Sequence, residues 1–524
     1  MSNVTLHFVD YFIIVASLVV SVAVGLRFAR RQSTTSRYFS AGGNVPSWAI
    51  GMSIFATLVS SVTFLAYPGD GFANDWVRLV QGLMVPIVVL AGIGFIVPLY
   101  RKVIGLSAYE YFEKRFGYFA RLYSSLGFVL AHFSKMGSVF FLLALALTGM
   151  TGVDTYTVIW VLGAAIVLLT LVGGMEAVIW LDVIQGFLLI VGGLIALLVI
   201  VLNVDGGLVT VFTVAAADRK MSLGSLDWDF VNLTFWVMAI NGIFYAIQKY
   251  GTDQTIVQRY LTARSDREAI RASVAGVLVT VPVWTLFMFI GTALYVFYQG
   301  GTALPEGLRS DAVFPHFIMT ELPVGVVGLI IAALMAAAIS SLDSDLNCLA
   351  AVGVDDYYKR LRPDSTDAER VRMGKIIVAV SGLGAMIVAS LYVTAGEAGV
   401  LGTVFALYAI FSGGIAGIFL LGIFVPRANK QGLYVGIGAC VVFTGVAMLT
   451  STRFGFGGEP RLLLDLGPLN YTHHKYMLGV YSHIVLFVVG WAASYFFPAP
   501  DVADNLTYAG WKRARRYTLS EQRG

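Results

Sequence analysis

Four polar side chains within one apolar run could bind a small cation. The run IIAALMAAAISSLDSDLNCLA places Ser340, Ser341, Asp343 and Ser344 within five residues. If the run is helical, Ser340 shares a face with Asp343 and with Ser344. Hydroxyl and carboxylate oxygens are hard ligands that suit a small hard cation. The alternative is a small-residue packing face whose serines bond to the backbone. An aspartate at this depth favours the cation site, because a charge in an apolar run is costly.

Two more charged residues lie inside apolar runs. Asp182, in GGMEAVIWLDVIQGF, needs a cation, a proton or a partner, and it would share a site with Asp343 if a cation lay between the two carboxylates. Lys135 lies near the middle of its run, too deep for its stem to reach water. We expect Lys135 either to face a cavity and bind an anionic substrate group, or to pair with Asp182 or Asp343. Asp345 lies nearer the end of its run, where we expect it to be solvated.

The composition shows what kind of protein must position these residues. Of 524 residues, 58% are hydrophobic and 13% are charged, about half the charged fraction of a soluble domain. The mean hydropathy is +0.79. This excludes a soluble globular enzyme and predicts a polytopic, all-α membrane protein. The sequence contains no phosphate-binding loop, nucleophile elbow or HExxH motif, and its two cysteines, Cys348 and Cys440, lie in apolar runs.

The length of each apolar run predicts about 13 transmembrane helices. They lie near 8–26, 47–67, 77–99, 122–148, 155–172, 177–200, 231–250, 270–298, 324–346, 375–394, 400–424, 432–450 and 476–497. We expect one transmembrane domain over 1–500 and a basic cytoplasmic tail over 501–524.

The distribution of Lys and Arg predicts the orientation. With the N-terminus outside, roughly four cations lie in the cytoplasmic segments for each one outside, and Arg259 is among the cytoplasmic ones. The run 8–26 has no basic region before it and no small-residue cleavage site after it, so we expect it to be retained as a helix. The positive charge therefore reflects membrane topology, and we expect no nucleic-acid partner. The expected location is a cell membrane of the bacterial inner-membrane type, with the C-terminus in the cytoplasm.

Two predicted spans contain features typical of broken helices. The segment 47–67 carries five serines and threonines and is followed by Pro68-Gly69, and the segment 231–250 leads into a polar stretch with Gly251. Hydroxyls that bond back to the preceding turn would explain such residues without a break. In transporters, broken helices direct backbone carbonyls towards an ion. The separation of five spans is that of an inverted repeat of five plus five helices.

The runs GMSIFATLVSSVTFLAYPG, GGMEAVIWLDVIQGF, YGTDQTIVQRY and IIAALMAAAISSLDSDLN resemble those of the sodium/solute symporter family, and are most like its members that carry sialic acid. The resemblance implies a LeuT-like fold of two inverted five-helix repeats, preceded by an extra N-terminal helix at 8–26. The repeats would cover 47–200 and 231–424, and peripheral helices would cover 432–497.

The resemblance also implies two sodium sites. The main site would use Ala56, Val59, Ala337, Ser340 and Ser341. The second site would use Asp182, Ser340, Asp343 and Ser344. Position 343 departs from the pattern, since the sialic acid carriers have a serine there; the added charge would tighten sodium binding or allow a proton to replace the ion.

The implied substrate residues match this sequence less closely. They are Ser60, Thr63, Arg78, Gln81, Lys135 and Gln248. A lysine stands at 135 in place of an arginine, which would hold a carboxylate with two parallel bonds. Leu58 and Arg78 replace a threonine and a phenylalanine, and Gln81 is one place out of register.

These observations predict a sodium-coupled secondary active symporter that imports a small hydrophilic solute, a sugar acid such as sialic acid or a related carboxylate, by alternating access. The alternatives are a symporter for a neutral sugar or a monocarboxylate, and a membrane sensor that binds solute without moving it. We expect one or two sodium ions, no organic cofactor, no enzymatic activity, and a monomer in the lipid bilayer.

Overall fold

The computed structural model describes residues 6–29, 34–301, 304–395, 413–454 and 461–513. Apart from one two-stranded hairpin, β1 (Arg453–Phe454) and β2 (Arg461–Leu462), the elements of these residues are helical. The helices of the first half are α1 (Phe8–Ala29), α2 (Thr35–Ser40), α3 (Ser47–Leu58), α4 (Ser61–Ala73), α5 (Leu79–Val103), α6 (Glu110–Phe116), α7 (Tyr118–Thr151), α8 (Thr155–Leu202) and α9 (Gly207–Ala217).

The second half continues with ten helices or helical turns. They are α10 (Phe235–Gly251), α11 (Gln254–Thr262), α12 (Asp266–Gln299), α13 (Ser310–Glu321), α14 (Val326–Val352), α15 (Lys359–Leu361), α16 (Asp367–Ala395), α17 (Ile415–Phe424), α18 (Lys430–Ser451) and α19 (Lys475–Ala493). A short π-helical segment, Gly353–Tyr358, joins α14 to α15. Helices α9 and α13 lie between predicted spans, in the connections after 177–200 and after 270–298.

Within the described residues, nine helices are long and apolar enough to cross a membrane, or ten if the bent pair α3–α4 is one span. The expected number of about 13 is not confirmed, for three reasons. The predicted spans 155–172 and 177–200 are the two segments of α8, which is a single one of the nine helices although its backbone is broken at the non-helical Gly174. The predicted span 231–250 is α10, whose 17 residues make it shorter than the nine, and α11 follows it as a separate short helix. Residues 400–412 of the predicted span 400–424 lie outside the described residues.

The first predicted break is present between α3 and α4. Val59 and Ser60 are extended, and the two helices meet at a bend of 58°. Ser60 begins α4, because its hydroxyl accepts a hydrogen bond from the Val62 N–H at 3.2 Å. The helix then continues through Pro68, which the sequence predicted to end the span.

The second break separates α10 from α11 at Thr252 and Asp253. Asp253 begins α11 by accepting a hydrogen bond from the Thr255 N–H at 2.9 Å. Each break leaves helix-terminal backbone groups without partners in their own helix, and these groups must find partners elsewhere.

Helix α14 lies at the centre of the molecule. Every residue from Ile330 to Val352 is buried, so the helix has no polar outer face and packs on all sides, against α1, α3, α4, α7, α8 and α11. The outer helix α1 is attached to it at one end. There the Asp10 carboxylate accepts hydrogen bonds from the N–H groups of Gly325 and Gly328, each at 2.8 Å.

Candidate functional site

The break between α3 and α4 lies against the serines of α14. The Ser340 hydroxyl donates to the carbonyls of Ala56 at 3.1 Å and Ala337 at 3.2 Å. The Ser341 hydroxyl lies 3.5 Å from the Val59 carbonyl. The structure therefore brings all five residues predicted for the main sodium site into one network.

The backbone explains why these oxygens are available. Helix α3 ends at Leu58, so its last carbonyls have no amide one turn further along the helix, apart from that of Phe55, which accepts from the Val59 N–H. The serine hydroxyls supply the missing donors. The same carbonyl and hydroxyl oxygens are hard ligands that suit a small hard cation. No group of three or more His, Cys, Asp or Glu side chains placed to hold a metal occurs in the described part of the chain.

A second buried cluster surrounds Asp182. Its Oδ2 accepts from the Ser53 hydroxyl at 2.5 Å and from the Arg259 guanidinium at 2.9 Å. The same guanidinium donates to Ser344 at 2.8 Å and, through Nε, to Ser53 at 2.8 Å. Asp182 and Arg259 are both fully buried. The Arg259 guanidinium thus links α11 to α3, α8 and α14.

The assignment of Arg259 to a cytoplasmic loop was wrong. The polar stretch after Gly251 folds back into the protein as α11, where Gln254, Thr255, Gln258 and Arg259 are all fully buried. The signal that could have identified Arg259 is Asp182, a deep carboxylate that requires a cation, together with a polar segment directly after a broken helix.

Asp343 lies next to these groups on α14, one turn from Ser340. It is 1% exposed, and neither of its carboxylate oxygens has a hydrogen-bond partner among the described residues. The Oδ1 atom of Asp182 also lacks a partner there. A buried carboxylate with no partner is expensive, and so a cation would be stabilised at this position.

Lys135 has an ion-pair partner that the sequence analysis did not assign. Its Nζ lies 3.0 Å from each carboxylate oxygen of Asp345, which is fully buried. The expected pairing with Asp182 or Asp343 is therefore wrong, and so is the expectation that Asp345 is solvated. Helix α14 continues to Val352, well past Asp345, and packs against α7. This places Asp345 in the interior.

Lys135 also faces a cavity of about 400 Å³, which is the first of its two predicted environments. The cavity lies beside the two breaks and is lined by Thr57, Leu58, Tyr109, Gly127, Phe128, Ala131, His132, Ser134, Lys135, Ser138, Tyr245, Gln248, Lys249, Thr252, Asp253 and Ile415. The lining is amphipathic, with aromatic and aliphatic surfaces and a few charged groups, as in pockets for small polar solutes.

Two of the six predicted substrate residues, Lys135 and Gln248, line this cavity. The other four are elsewhere. Ser60 caps α4, Thr63 is buried on the same helix, and Gln81 is half-buried on α5. Arg78 forms an ion pair with Asp70 of α4. The structure therefore does not bring Ser60, Thr63, Arg78 and Gln81 to the Lys135 cavity.

The cavity contains a second ammonium group, on Lys249. It binds Asp253 at 2.7 Å and the Thr255 hydroxyl at 3.0 Å. His132 lies between the two acidic residues, with Nε2 3.7 Å from Asp345 and 3.8 Å from Asp253. Its other ring nitrogen bonds the Phe128 carbonyl at 2.9 Å, as in an ordinary structural histidine.

Comparison with known proteins assigns the class of this fold and site. The family model of the sodium:solute symporter family matches residues 38–438. The sodium/sialic acid symporter NanT of Aliivibrio fischeri is 32% identical over 98% of both chains, and the sodium/sialic acid symporter SiaT of Proteus mirabilis is 36% identical over 86% of this chain and 90% of its own. A solved substrate-bound, outward-open Na⁺-coupled sialic acid symporter has a TM-score of 0.86 at 32% identity, covering 95% of this chain and all of the other.

The chain belongs to the sodium:solute symporter family. It is a multi-pass membrane protein with the LeuT-like fold, and it couples solute movement to sodium. These findings confirm the predicted fold class, symport function and coupling ion.

Proposed function

We propose that this symporter imports a sugar acid of the sialic acid type together with sodium. The observation that carries the proposal is Lys135, an ammonium that is 31% exposed and faces a 400 Å³ cavity beside both helix breaks. Relatives that cover most of the chain are named for sialic acid, a solute with one carboxylate and many hydroxyls. Gln248 in the same cavity supplies an amide for hydroxyl groups.

The main sodium ion would bind the carbonyls of Ala56, Val59 and Ala337 and the hydroxyls of Ser340 and Ser341. Support comes from the network of 3.1 to 3.5 Å contacts that already joins these oxygens across the break. An ion there ties α3 and α4 to α14. When the ion leaves, no shared cation holds the oxygens of the broken helix to those of α14, and the cavity is free to open to the cytoplasm.

A second sodium ion would bind Asp182, Ser340, Asp343 and Ser344. The unpartnered oxygens of Asp343 and Asp182 support this site. Arg259 already binds Oδ2 of Asp182 and the Ser344 hydroxyl, so sodium would share these two residues with the guanidinium. Each sodium ion moved inward gains about 2.3 kcal/mol per 100 mV of membrane potential, and a second ion doubles that drive.

In this proposal, the other four predicted substrate residues line the solute path in other states of the transport cycle. They are Ser60, Thr63, Arg78 and Gln81. The broken helix α3–α4 carries two of them, and alternating access moves such a helix relative to its neighbours.

A neutral sugar or a short monocarboxylate is the alternative solute, and Leu58 in the cavity lining fits these less polar solutes.

The remaining expectations stay part of the proposal. They are a bacterial inner-membrane location with the N-terminus outside and the C-terminus in the cytoplasm, a monomer in the bilayer, no enzymatic activity, and a division into repeats at 47–200 and 231–424. The described part of the tail, up to residue 513, and the peripheral helices α18 and α19 lie outside both repeats.

Uptake into liposomes tests the proposal. Purified protein is given an inward sodium gradient and labelled sialic acid, a neutral hexose or a short monocarboxylate, each with a choline control. We expect sodium-dependent accumulation of sialic acid. Chemical conversion of the solute would instead indicate an enzyme, and sodium-dependent binding without accumulation would indicate a sensor.

Two variants connect the uptake to the site. Ser341→Ala should abolish sodium-driven uptake, whereas Ser390→Ala, which loses a hydroxyl that donates to the Met386 carbonyl of its own helix at 2.8 Å, should not. Lys135→Ala should lose anionic solutes first. Normal sodium affinity in Ser341→Ala would refute the main site, and unchanged sialic acid uptake in Lys135→Ala would make Lys135 structural.

A further inference from the structure

Asp345 is a fully buried carboxylate that neither proposed sodium site nor the proposed substrate site uses. It follows Ser344 on α14, and both of its oxygens lie 3.0 Å from the Lys135 ammonium. Lys135 itself is 31% exposed and lines the solute cavity. The Lys135 ammonium therefore lies between the Asp345 carboxylate and the cavity in which an anionic solute would bind.

The single charge of Lys135 limits how well it can bind a solute carboxylate while it is paired with Asp345. An ammonium is a single point charge, without the fork of donors that lets an arginine hold two carboxylates at once. The charge of Lys135 is already balanced by Asp345. A solute carboxylate that reaches Lys135 would bring two negative groups to one cation in a partly buried site, and like charges that close together are unfavourable.

Other cations of the cavity do not relieve this excess charge. Lys249 is held by Asp253 at 2.7 Å. The Nε2 atom of His132 lies 3.7 Å from Asp345 and has no hydrogen-bond partner among the described residues. Sodium on the serines of α14 would add a positive charge to the same helix, within one to two turns of Asp345.

The geometry points to Asp345 as a positioning residue that makes capture of an anionic solute depend on sodium. Without sodium, Asp345 holds Lys135 and opposes a second carboxylate. With sodium on α14, the negative charge of Asp345 is offset and Lys135 turns to the solute. The inference rests on the proposed function, and it assigns the coupling of solute to ion to a residue that binds neither.

The test is the substitution Asp345→Asn, which keeps a side chain of the same shape and removes its charge. Binding of sialic acid to the purified full-length protein is measured by calorimetry in sodium and in choline. We expect sodium-free affinity to rise on the order of tenfold, and the enhancement by sodium to shrink by the same factor. Neutral N-acetylmannosamine should show no such change, because it carries no carboxylate.

Asp253→Asn is the matched control, because it removes one carboxylate from the lining of the same cavity but from the partner of Lys249. It should leave the enhancement by sodium unchanged. If Asp345→Asn fails to fold, the wild-type protein is compared on two solutes: sodium should enhance binding of sialic acid on the order of tenfold more than binding of neutral N-acetylmannosamine, because only a solute carboxylate is opposed by Asp345.

The outcomes distinguish failure of the proposed substrate from failure of the proposed role of Asp345. Wild-type protein that binds no sialic acid at saturating sodium overturns the proposed substrate and this inference with it. The role of Asp345 alone is overturned if wild-type protein binds sialic acid in a sodium-dependent way and Asp345→Asn shows the same enhancement. Where that variant does not fold, equal enhancement by sodium of sialic acid and N-acetylmannosamine binding to the wild type overturns it.

Discussion

Replacing Arg259 with glutamine should produce a protein that depends on sodium for its stability. The guanidinium lies 2.9 Å from Asp182 and 2.8 Å from Ser344, with both charged groups fully buried. Glutamine is shorter and uncharged, so Arg259→Gln leaves the Asp182 carboxylate in the interior without a cation. Sodium is then the species that can restore the balance at the proposed second site.

The size of the effect follows from the burial of the pair. Breaking a buried ion pair by removing one partner costs about 3–5 kcal/mol. Binding of sodium returns stability according to its concentration, about 2.7 kcal/mol at one hundred times its dissociation constant. In the wild-type protein this gain is smaller, because Arg259 already balances the charge of Asp182 and its own positive charge disfavours a second cation beside it. We therefore expect sodium to remove half or more of the deficit of the variant.

The assay is unfolding of the detergent-solubilised protein across a sodium titration, with choline keeping the ionic strength constant. Arg101→Gln provides the control, because it breaks a partly exposed pair with Asp266 at 2.7 Å by the same substitution. Arg101 also donates to the carbonyls of Tyr260 and Ala263, so its loss costs more than the roughly 0–1 kcal/mol of a surface pair alone. None of these partners belongs to a proposed sodium site, and the loss should therefore not depend on sodium. The reasoning is refuted if Arg259→Gln is as stable as the wild type in choline, or if sodium stabilises both proteins equally.

Three further substitutions test other parts of the structure. Asp343→Ser removes a buried carboxylate that lacks a partner among the described residues, so it should raise stability in choline by about 1–3 kcal/mol and reduce stabilisation by sodium, as measured by the same titration. Asp10→Ala removes the acceptor of two backbone N–H groups at the start of α14 and should cost about 2–4 kcal/mol in chemical unfolding. Gly71→Ala should lower the melting temperature, because the new methyl group would lie 2.3 Å from the Met288 carbonyl, a clash worth about 1–3 kcal/mol.

Two of these substitutions have a reference variant. Gly438→Ala adds the same methyl group to a helix at a point where no atom of the described residues lies within 4 Å, so it should be neutral or slightly stabilising. Asp10→Asn keeps an acceptor and should cost less than Asp10→Ala. An Asp343→Ser variant that keeps full stabilisation by sodium would remove Asp343 from the second site. Equal stability of Gly71→Ala and the wild type would contradict the close contact of α4 with α12.

The residue pattern was most informative where one element supplies a whole motif. Ser340 and Ser341 lie on one helix, and their partners Ala56 and Val59 lie at a break that the run of hydroxyl residues predicted. The number of spans was harder to predict, because hydropathy measures the length of apolar runs and does not record where a short helix such as α10 ends and a buried polar helix such as α11 follows it.

The sequence by itself determined the class of protein: a polytopic helical membrane protein of the sodium:solute symporter family, with intramembrane acidic residues that require cations. Which cation meets which acid was decided only by the tertiary structure. Arg259 reaches Asp182 because α11 folds back into the core, and Lys135 reaches Asp345 because α14 stays buried past its predicted end. The physical reason is that apolarity and helical period are local properties of a chain, whereas an ion pair between residues 77 or 210 positions apart depends on how whole helices pack.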